Sequence, residues 1–285
     1  MEPNLTHYLS VKDHSVSGET FELWRDDSLD MLVTLPKPQP EQLGRYYESE
    51  DYISHTDAKR SLFEKAYHVV KSIALQNKLS LINALGKSKG RLLDIGAGTG
   101  EFLLTAKKNG WDVVGIEPNA KAKNTAIAKG AQFVNAESDL DDSDFDIISM
   151  WHVLEHVPDV ERQIRDLSRL VKPNGAVVIA VPNFKSFDAA YYGEYWAAFD
   201  VPRHLTHFSK TAVKGLFETQ EFRLEKILPM KFDAFYVSLL SEKYKTGSMN
   251  FFKAFLIGLR SNRHAKRNFE FSSHIYVFRS TKKQN

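Results

Sequence analysis

An α/β fold, with a mostly parallel sheet and helices wound on both of its faces, is predicted by three observations on the sequence. Short apolar runs alternate with segments of helical periodicity from residue 90 onward, and such alternation builds a parallel sheet. Glycines punctuate the alternation, with Gly110 and Gly130 standing where helix C-caps are expected. The run Leu92-Leu93-Asp94-Ile95-Gly96-Ala97-Gly98-Thr99-Gly100-Glu101-Phe102 reads as a buried strand that breaks into a glycine turn and then a helix.

Taken in order, residues 1–38 read as a small, separate β-rich element, with a turn and then a strand over 15–24. The segment 35–40 holds Pro36, Pro38 and Pro40, and each proline fixes φ and removes a donor, so it is a stiff linker. Residues 39–89 form a helical entry segment. It carries the tyrosine-rich stretch 46–55 and then a helix capped by Thr56 or Asp57, with Leu62, Ala66, Val69, Val70 and Ile73 on one face. Residues 90–285 form the main domain. Its strands lie near 91–95, 112–117, 131–134, 145–150 and 176–181, and its helices near 100–109, 119–129 and 159–171. A helix over 209–219, a strand near 222–228 and a final strand over 273–278 complete it, with insertions at 184–208 and 232–270.

Composition narrows the function classes. The 285 residues are enough to bury a large core, and 42% hydrophobic content is that of an ordinary globular protein. With 38 basic and 36 acidic residues the net charge is +2, which gives no global reason to expect nucleic acid or a membrane surface as partner. No apolar run approaches the roughly 20 residues of a membrane span, and Met1-Glu2-Pro3-Asn4 does not read as a signal peptide. The absence of cysteine excludes disulfides, thiolate zinc sites and a cysteine nucleophile, and it suits a reducing cytoplasm, where the chain is expected to reside. The cluster Arg260, Arg263, Lys266 and Arg267 is read as a solvated helix face in preference to a contact for an acidic partner.

The glycine turn carries the chemistry. Glu117 ends the second strand 21 positions after Gly96, where a carboxylate can accept two hydrogen bonds from a ribose diol. A dinucleotide fingerprint, GxGxxG, would need glycine at position 101, which is Glu101; the third glycine is Gly100. A carboxylate at Asp94 would repel a pyrophosphate but suits a ligand bearing an ammonium group. Asp94, Gly96, Gly98 and Gly100 match D/E-x-G-x-G-x-G position by position, and here the chain resembles the class I S-adenosylmethionine-dependent methyltransferases. That resemblance implies a Rossmann-like, doubly wound, seven-stranded sheet with an antiparallel C-terminal hairpin, and S-adenosylmethionine as cofactor. It further implies Asp94 near the methionyl amine, Gly96, Ala97 and Gly98 beneath the ligand, and Glu117 on the ribose hydroxyls. Adenine would lie by Pro118 with Asp139 as a partner for its amino group, and Trp151 would line the pocket. Related enzymes fold a segment over the cofactor, which would place Tyr47, Tyr52 and His55 there; packing on the surface against the sheet edge is the alternative for them. The first 38 residues resemble an N-terminal zinc-ribbon-like element whose CxxC pairs bind zinc; a late pair here would be Asp26 and Leu29, so this element cannot bind zinc in that way.

Two further strings bear on the acceptor. His152-x-x-Glu155-His156 matches the HxxEH zinc-peptidase pattern literally, but the segment leaves a strand and meets Pro158, so no long helix can hold the pair and no metal is expected. Segments of the form H-x-L-E-H after the fourth strand resemble a methyltransferase subgroup that includes quinone and sugar O-methyltransferases. The string from Asp200 to Ser209, D-x-P-R-H-x-x-H-F-S, resembles the same subgroup. His204 is the first candidate general base and His152 the alternative. Asp200 and Arg203 would orient the base or bind the acceptor, and His207 would pin the loop against the Ser209 helix cap. The aromatic connection Phe184, Phe187, Tyr191, Tyr192, Tyr195, Trp196 and Phe199 suits a lid or acceptor wall, with Tyr195 and Trp196 facing substrate, although such residues also pack small caps.

Methyl transfer is an in-line displacement, so catalysis rests on alignment, and a hydroxyl acceptor also needs a base. The expectation is a methyltransferase that O-methylates a small-molecule, glycan-linked or lipid-linked acceptor. A non-catalytic cofactor-binding scaffold and a nicotinamide-dependent oxidoreductase are the rivals.

Overall fold

The computed structural model describes residues 5–47, 62–86 and 89–283; Tyr52, His55, Thr56 and Asp57 lie outside the described residues. The main sheet has seven strands. They are β4 (Arg91–Ile95), β5 (Asp112–Ile116), β6 (Phe133–Val134), β7 (Phe145–Trp151), β8 (Val171–Pro182), β10 (Phe222–Pro229) and β11 (Ser273–Ser280), in the order β10-β11-β8-β7-β4-β5-β6. β11 runs antiparallel to both of its neighbours, and the other pairings are parallel.

The parallel strands are apolar almost throughout because both faces are covered. Leu93, Ile95, Val114, Ile148 and Val177 bury on one face, and Leu92, Val113, Ile147 and Val178 on the other. Between the strands lie α2 (Glu101–Lys108), α3 (Ala120–Ala128) and α4 (Val160–Leu170). The last two are capped by Asn119, which accepts from the Ala122 N–H, and by Asp159, which accepts from the Arg162 N–H. The order reverses beside β4, which has β5 on one side and β7 on the other, and a crevice outside the carboxyl ends of such strands is where α/β sheets bind ligands.

The entry helix, α1 (Leu62–Leu85), docks through its second half. Leu79 and Ile82 bury against Leu92, Leu103 and Trp111, whereas Ile73, predicted to face inward, is 42% exposed. Of the predicted face only Val70 and Ile73 have described side chains, and Ile73 points away from the cluster that Leu79 and Ile82 join.

The N-terminal strands β1 (Leu5–Lys12), β2 (Thr20–Asp26) and β3 (Met31–Leu35) form an antiparallel sheet that is not independent of the rest of the chain. Its fourth strand is β9 (Thr206–His207), paired with Leu32 and Val33. Val11, Phe21, Leu23 and Leu32 share one core with Phe184, Trp196, Phe199 and Val201 of the first insertion. Two turns of this sheet are closed by aspartates. Asp13 accepts from the backbone N–H groups of Ser15, Val16 and Ser17, and Asp26 from those of Ser28 and Leu29. The first insertion contains α5 (Phe187–Tyr192), and α6 (Lys210–Glu218) follows β9. The second insertion is a helical hairpin, α7 (Asp233–Thr246) and α8 (Phe251–Asn268).

Candidate active site

The glycine turn sits at the carboxyl end of β4. Gly96 and Gly98 both have positive φ (71° and 54°), which glycine adopts without a steric penalty. A Cβ at Gly96 would come within 2.3 Å of Val153 Cγ2, whereas one at Gly98 would meet nothing within 4 Å. The first glycine serves close packing and the second faces open space. Gly96 and Ala97 both donate their N–H groups to Ile116 O, at 2.8 and 3.0 Å, which ties the turn to the tip of β5.

Glu117 follows that tip, and its carboxylate is already oriented. Oε2 accepts from the Gly98 N–H at 2.7 Å and Oε1 from the Asn119 N–H at 2.8 Å. Each oxygen keeps a second acceptor position, which is what a ribose diol requires. Pro118 beside it is exposed. Asp139 closes its own loop by accepting from the N–H groups of Asn135 and Ala136, both at 3.2 Å; it shapes the loop after β6.

Asp94 is 2% exposed, and the Ser149 hydroxyl donates to its Oδ1 at 2.6 Å. Burial pushes its pKa up to about 7, with the nearby Glu117 adding to the rise and the Ser149 hydrogen bond and Lys78 opposing it. A ligand ammonium placed here would reverse that rise, since an opposite charge favours the ionised carboxylate. Trp151, the last residue of β7, packs edge-on against Phe102 and leaves its buried Nε1 without a partner among the described residues. A buried donor with no acceptor is costly, and a polar ligand at this strand end would satisfy it. The residues present therefore fit a nucleoside cofactor bearing an ammonium group.

Two site residues had no signal in the sequence. Lys78 of α1 holds its ammonium 4.4 Å from the centroid of the Trp151 ring, and burial lowers its pKa against the pull of Asp94, Asp233 and Glu101. Asp233, the first residue of α7, reaches back across the site to His152 Nε2 at 3.2 Å. His152 Nδ1 lies 3.3 Å from Glu155 Oε1. Burial alone would lower the His152 pKa, but the two carboxylates outweigh it and hold the ring up to about 10. The residue also sits at φ 58°, a left-handed conformation that non-glycine residues hold only where their surroundings enforce it. His152 is thus a clamped imidazolium, about a third exposed.

His204 has the opposite environment. It is buried, with Nδ1 2.8 Å from Ala198 O and Nε2 4.0 Å from Asp200 Oδ2. Burial and the neighbouring His156 lower its pKa to about 4, so it is neutral at physiological pH. His156 meets it edge-on at 4.6 Å, with Nδ1 2.9 Å from Arg203 O and 3.3 Å from the Tyr47 hydroxyl. Tyr47 thus stands against the histidine cluster. Among the described residues, ligand-type atoms of Glu155, His156 and His204 lie within 4.8 Å of one another. The histidines of the literal HxxEH string are not the pair brought together, because Leu154–His156 is a single 3₁₀ turn.

The remaining candidates hold the joint between the first insertion and the N-terminal sheet. Arg203, 3% exposed, donates to Asp13 Oδ1 at 2.9 Å, Asp200 Oδ1 at 2.7 Å and Tyr46 O at 2.8 Å. Burial would raise the Asp13 pKa, but Arg203 and the Ser17 N–H hold it well below the usual carboxylate range. Trp196, 1% exposed, donates Nε1 to Asp188 Oδ2 at 2.8 Å, and Tyr195 lies against His14. His207 Nε2 is 3.0 Å from Thr34 Oγ1, so it pins the N-terminal sheet, while the Ser209 hydroxyl caps α6 by accepting from the Ala212 N–H.

Comparison with known proteins agrees with this geometry. The family model described as a methyltransferase domain matches residues 69–227, more than half of the chain. A ubiquinone biosynthesis O-methyltransferase of Aliivibrio fischeri (strain MJ11) is 30% identical over 141 residues, which cover 45% of this chain and 59% of that protein; the chain thus spans about three fifths of that relative. Among solved structures, a methyltransferase of Thermotoga maritima, titled a possible histamine N-methyltransferase, aligns with a TM-score of 0.53 and 19% identity. That alignment covers 76% of this chain and 94% of the other. Phosphoethanolamine N-methyltransferase 2 of Haemonchus contortus, solved with S-adenosyl-L-methionine, aligns at 0.51 and 17% identity over 73% and 53%. With the family model matched over more than half of its length and a seven-stranded α/β sheet, the chain belongs to the family of S-adenosylmethionine-dependent methyltransferases.

Proposed function

We propose that the protein transfers the methyl group of S-adenosylmethionine to a hydroxyl of a small-molecule acceptor. The reading is carried by the Glu117 carboxylate, held on the Gly98 N–H at the tip of β5 beside the buried Asp94 at the tip of β4. Asp94 would face the methionyl ammonium, Gly96, Ala97 and Gly98 would run beneath the ligand, and Glu117 would take the ribose hydroxyls. Pro118 and the loop shaped by Asp139 would flank adenine, and Trp151 would close the methionyl side. The bound cofactor supplies an electrophilic sulfonium methyl.

The oxygen acceptor is supported by the name of the A. fischeri relative and by the two histidines. His204 is the proposed general base, because its neutral ring can take a proton. His152 is the proposed orienting cation, which lowers the cost of negative charge on an acceptor oxygen while Asp233 and Glu155 keep it protonated. Asp200 and Tyr195 would border the acceptor space. Carbohydrate-linked and lipid-linked hydroxyls are the larger acceptors this reading admits.

Calorimetry with S-adenosylhomocysteine and with NAD separates the classes. The methyltransferase reading expects binding of the first alone. NAD binding alone would overturn it in favour of an oxidoreductase. A screen of metabolite extracts with methyl-labelled S-adenosylmethionine should then yield an alkali-stable labelled ether, and a cofactor-binding protein that labels nothing would be a scaffold.

A further inference from the structure

We propose that the α7–α8 hairpin docks the protein on an anionic membrane surface. Helix α8 is inverted relative to an ordinary surface helix. Its buried stripe is Ala254, Ile257, Gly258, Ser261 and Ala265, mostly small, while Phe252 is 75% exposed, Phe255 56%, Leu256 41% and Leu259 44%. Large exposed apolar groups gathered in one place mark an interaction site.

The rotation of the helix is fixed from the buried side. Ser261 donates to Asp188 at 2.6 Å, and the helix backs so closely onto α7 that a Cβ at Gly258 would come within 2.6 Å of Phe235. The aromatic face therefore points outward by construction. Met249 and Phe232 extend it, at 40% and 45% exposure.

Charge selects the occupant. Between Lys243 and Asn268 lie seven of the chain's 38 basic residues and none of its 36 acidic ones. At 3.6 residues per turn, Arg263, Lys266 and Arg267 fall on the same side of α8 as Phe252 and Phe255, about two to four turns further along, and all three are exposed. Apolar side chains at one end of a helix face and cations at the other match the acyl boundary and the anionic headgroups of a bilayer. Such a helix lies on a membrane and does not span it. Consistently, no helix among the described residues is long and apolar enough to cross one. The hairpin is rooted at the candidate active site through Asp233 and His152, so docking would bring that site to the bilayer surface. The proposal does not depend on the nature of the acceptor.

The test is flotation of the full chain with phosphatidylcholine vesicles, with and without phosphatidylglycerol. The expected result is binding that requires phosphatidylglycerol and weakens as salt rises and screens the cations. Each surface cation contributes roughly fivefold, so R263E/K266E/R267E should lose at least about tenfold in vesicle affinity. F252E/F255E should abolish binding. Both variants should retain the parent's circular dichroism and S-adenosylhomocysteine affinity, which separates loss of docking from loss of fold. Absence of vesicle binding by the parent would overturn the proposal, as would equal binding to neutral vesicles. A parent dimer that F252E/F255E converts to monomer, with no vesicle binding, would assign the face to a second copy of the chain and also overturn it.

Discussion

The glycine-turn half of the site and its histidine half are built in opposite ways. Asp94, Gly96, Gly98 and Glu117 come from one strand–turn–helix–strand unit, in which the Gly96 and Ala97 N–H groups donate to Ile116 O and the Gly98 N–H to the Glu117 carboxylate. The histidine half is assembled from distant parts of the chain. Arg203 reaches Asp13 across 190 positions, the Thr34 hydroxyl donates to His204 O across 170, and Asp233 closes on His152 from the second insertion. The first half is specified by local backbone geometry. The second is specified only by the assembled fold, so its perturbation should couple chemistry to stability where the first should not.

The largest expected effect is on turnover. Losing a positioned base costs about 10²–10⁴ in rate, so His204→Ala should lower turnover by that order and leave S-adenosylhomocysteine affinity nearly unchanged. Because the ring's pKa is lowered to about 4, the acidic limb of the parent's pH–rate profile should fall near that value and not in the ordinary histidine range near 6.5. Full turnover in His204→Ala with loss in His152→Ala would remove His204 as the base and leave the His152 cation as the group on which turnover depends. Full turnover in both would point to a carbon or nitrogen acceptor that needs no histidine base.

Stability should be the next largest effect, and it should be confined to the joint. Removing one partner of a buried ion pair costs about 3–5 kcal/mol, so Arg203→Ala should lower the unfolding free energy from denaturant titration by that amount at neutral pH. The sign with pH follows from the depressed Asp13 carboxyl. The contribution is present above the unfolded carboxylate pKa and is lost as pH falls through the folded one. The Arg203→Ala penalty should therefore shrink in acid, and a penalty that grows instead would contradict the pairing.

A smaller effect sharpens the electrostatics of His152. Its raised pKa implies a contribution to stability that is present below the unfolded histidine value of about 6.5 and fades as pH rises toward about 10. Asp233→Asn should move the ring's titration, followed by NMR, downward toward the ordinary value. An unmoved midpoint would show that Glu155 alone holds the proton.

Legibility in the sequence follows the same division. The strand run to Ile95, the alternating glycines and Glu117 could be read directly because period, turn chemistry and spacing are local. The helix cap at Ser209 could be read for the same reason. The pairing of Thr206–His207 into the N-terminal sheet could not, since two residues carry no strand periodicity. Lys78 and Asp233 were equally hidden, one on a helix whose apolar repeat suggested a different docking face, the other at the start of an insertion whose conspicuous charge is basic. Arg203, read as an orienter of the base or an acceptor ligand, and Trp196, read as part of the acceptor wall, are both buried. What the sequence could not convey was that their polar atoms close on Asp13, Tyr46 and Asp188.

The central claim, that a nucleoside cofactor lies between Asp94 and Glu117, is tested most directly by calorimetry of S-adenosylhomocysteine binding to the parent and to Glu117→Ala. Each charge-assisted hydrogen bond to the ribose is worth roughly 1.5–3 kcal/mol, so the substitution should weaken affinity about tenfold or more with the melting transition retained. Unchanged affinity in a folded Glu117→Ala protein would contradict the account.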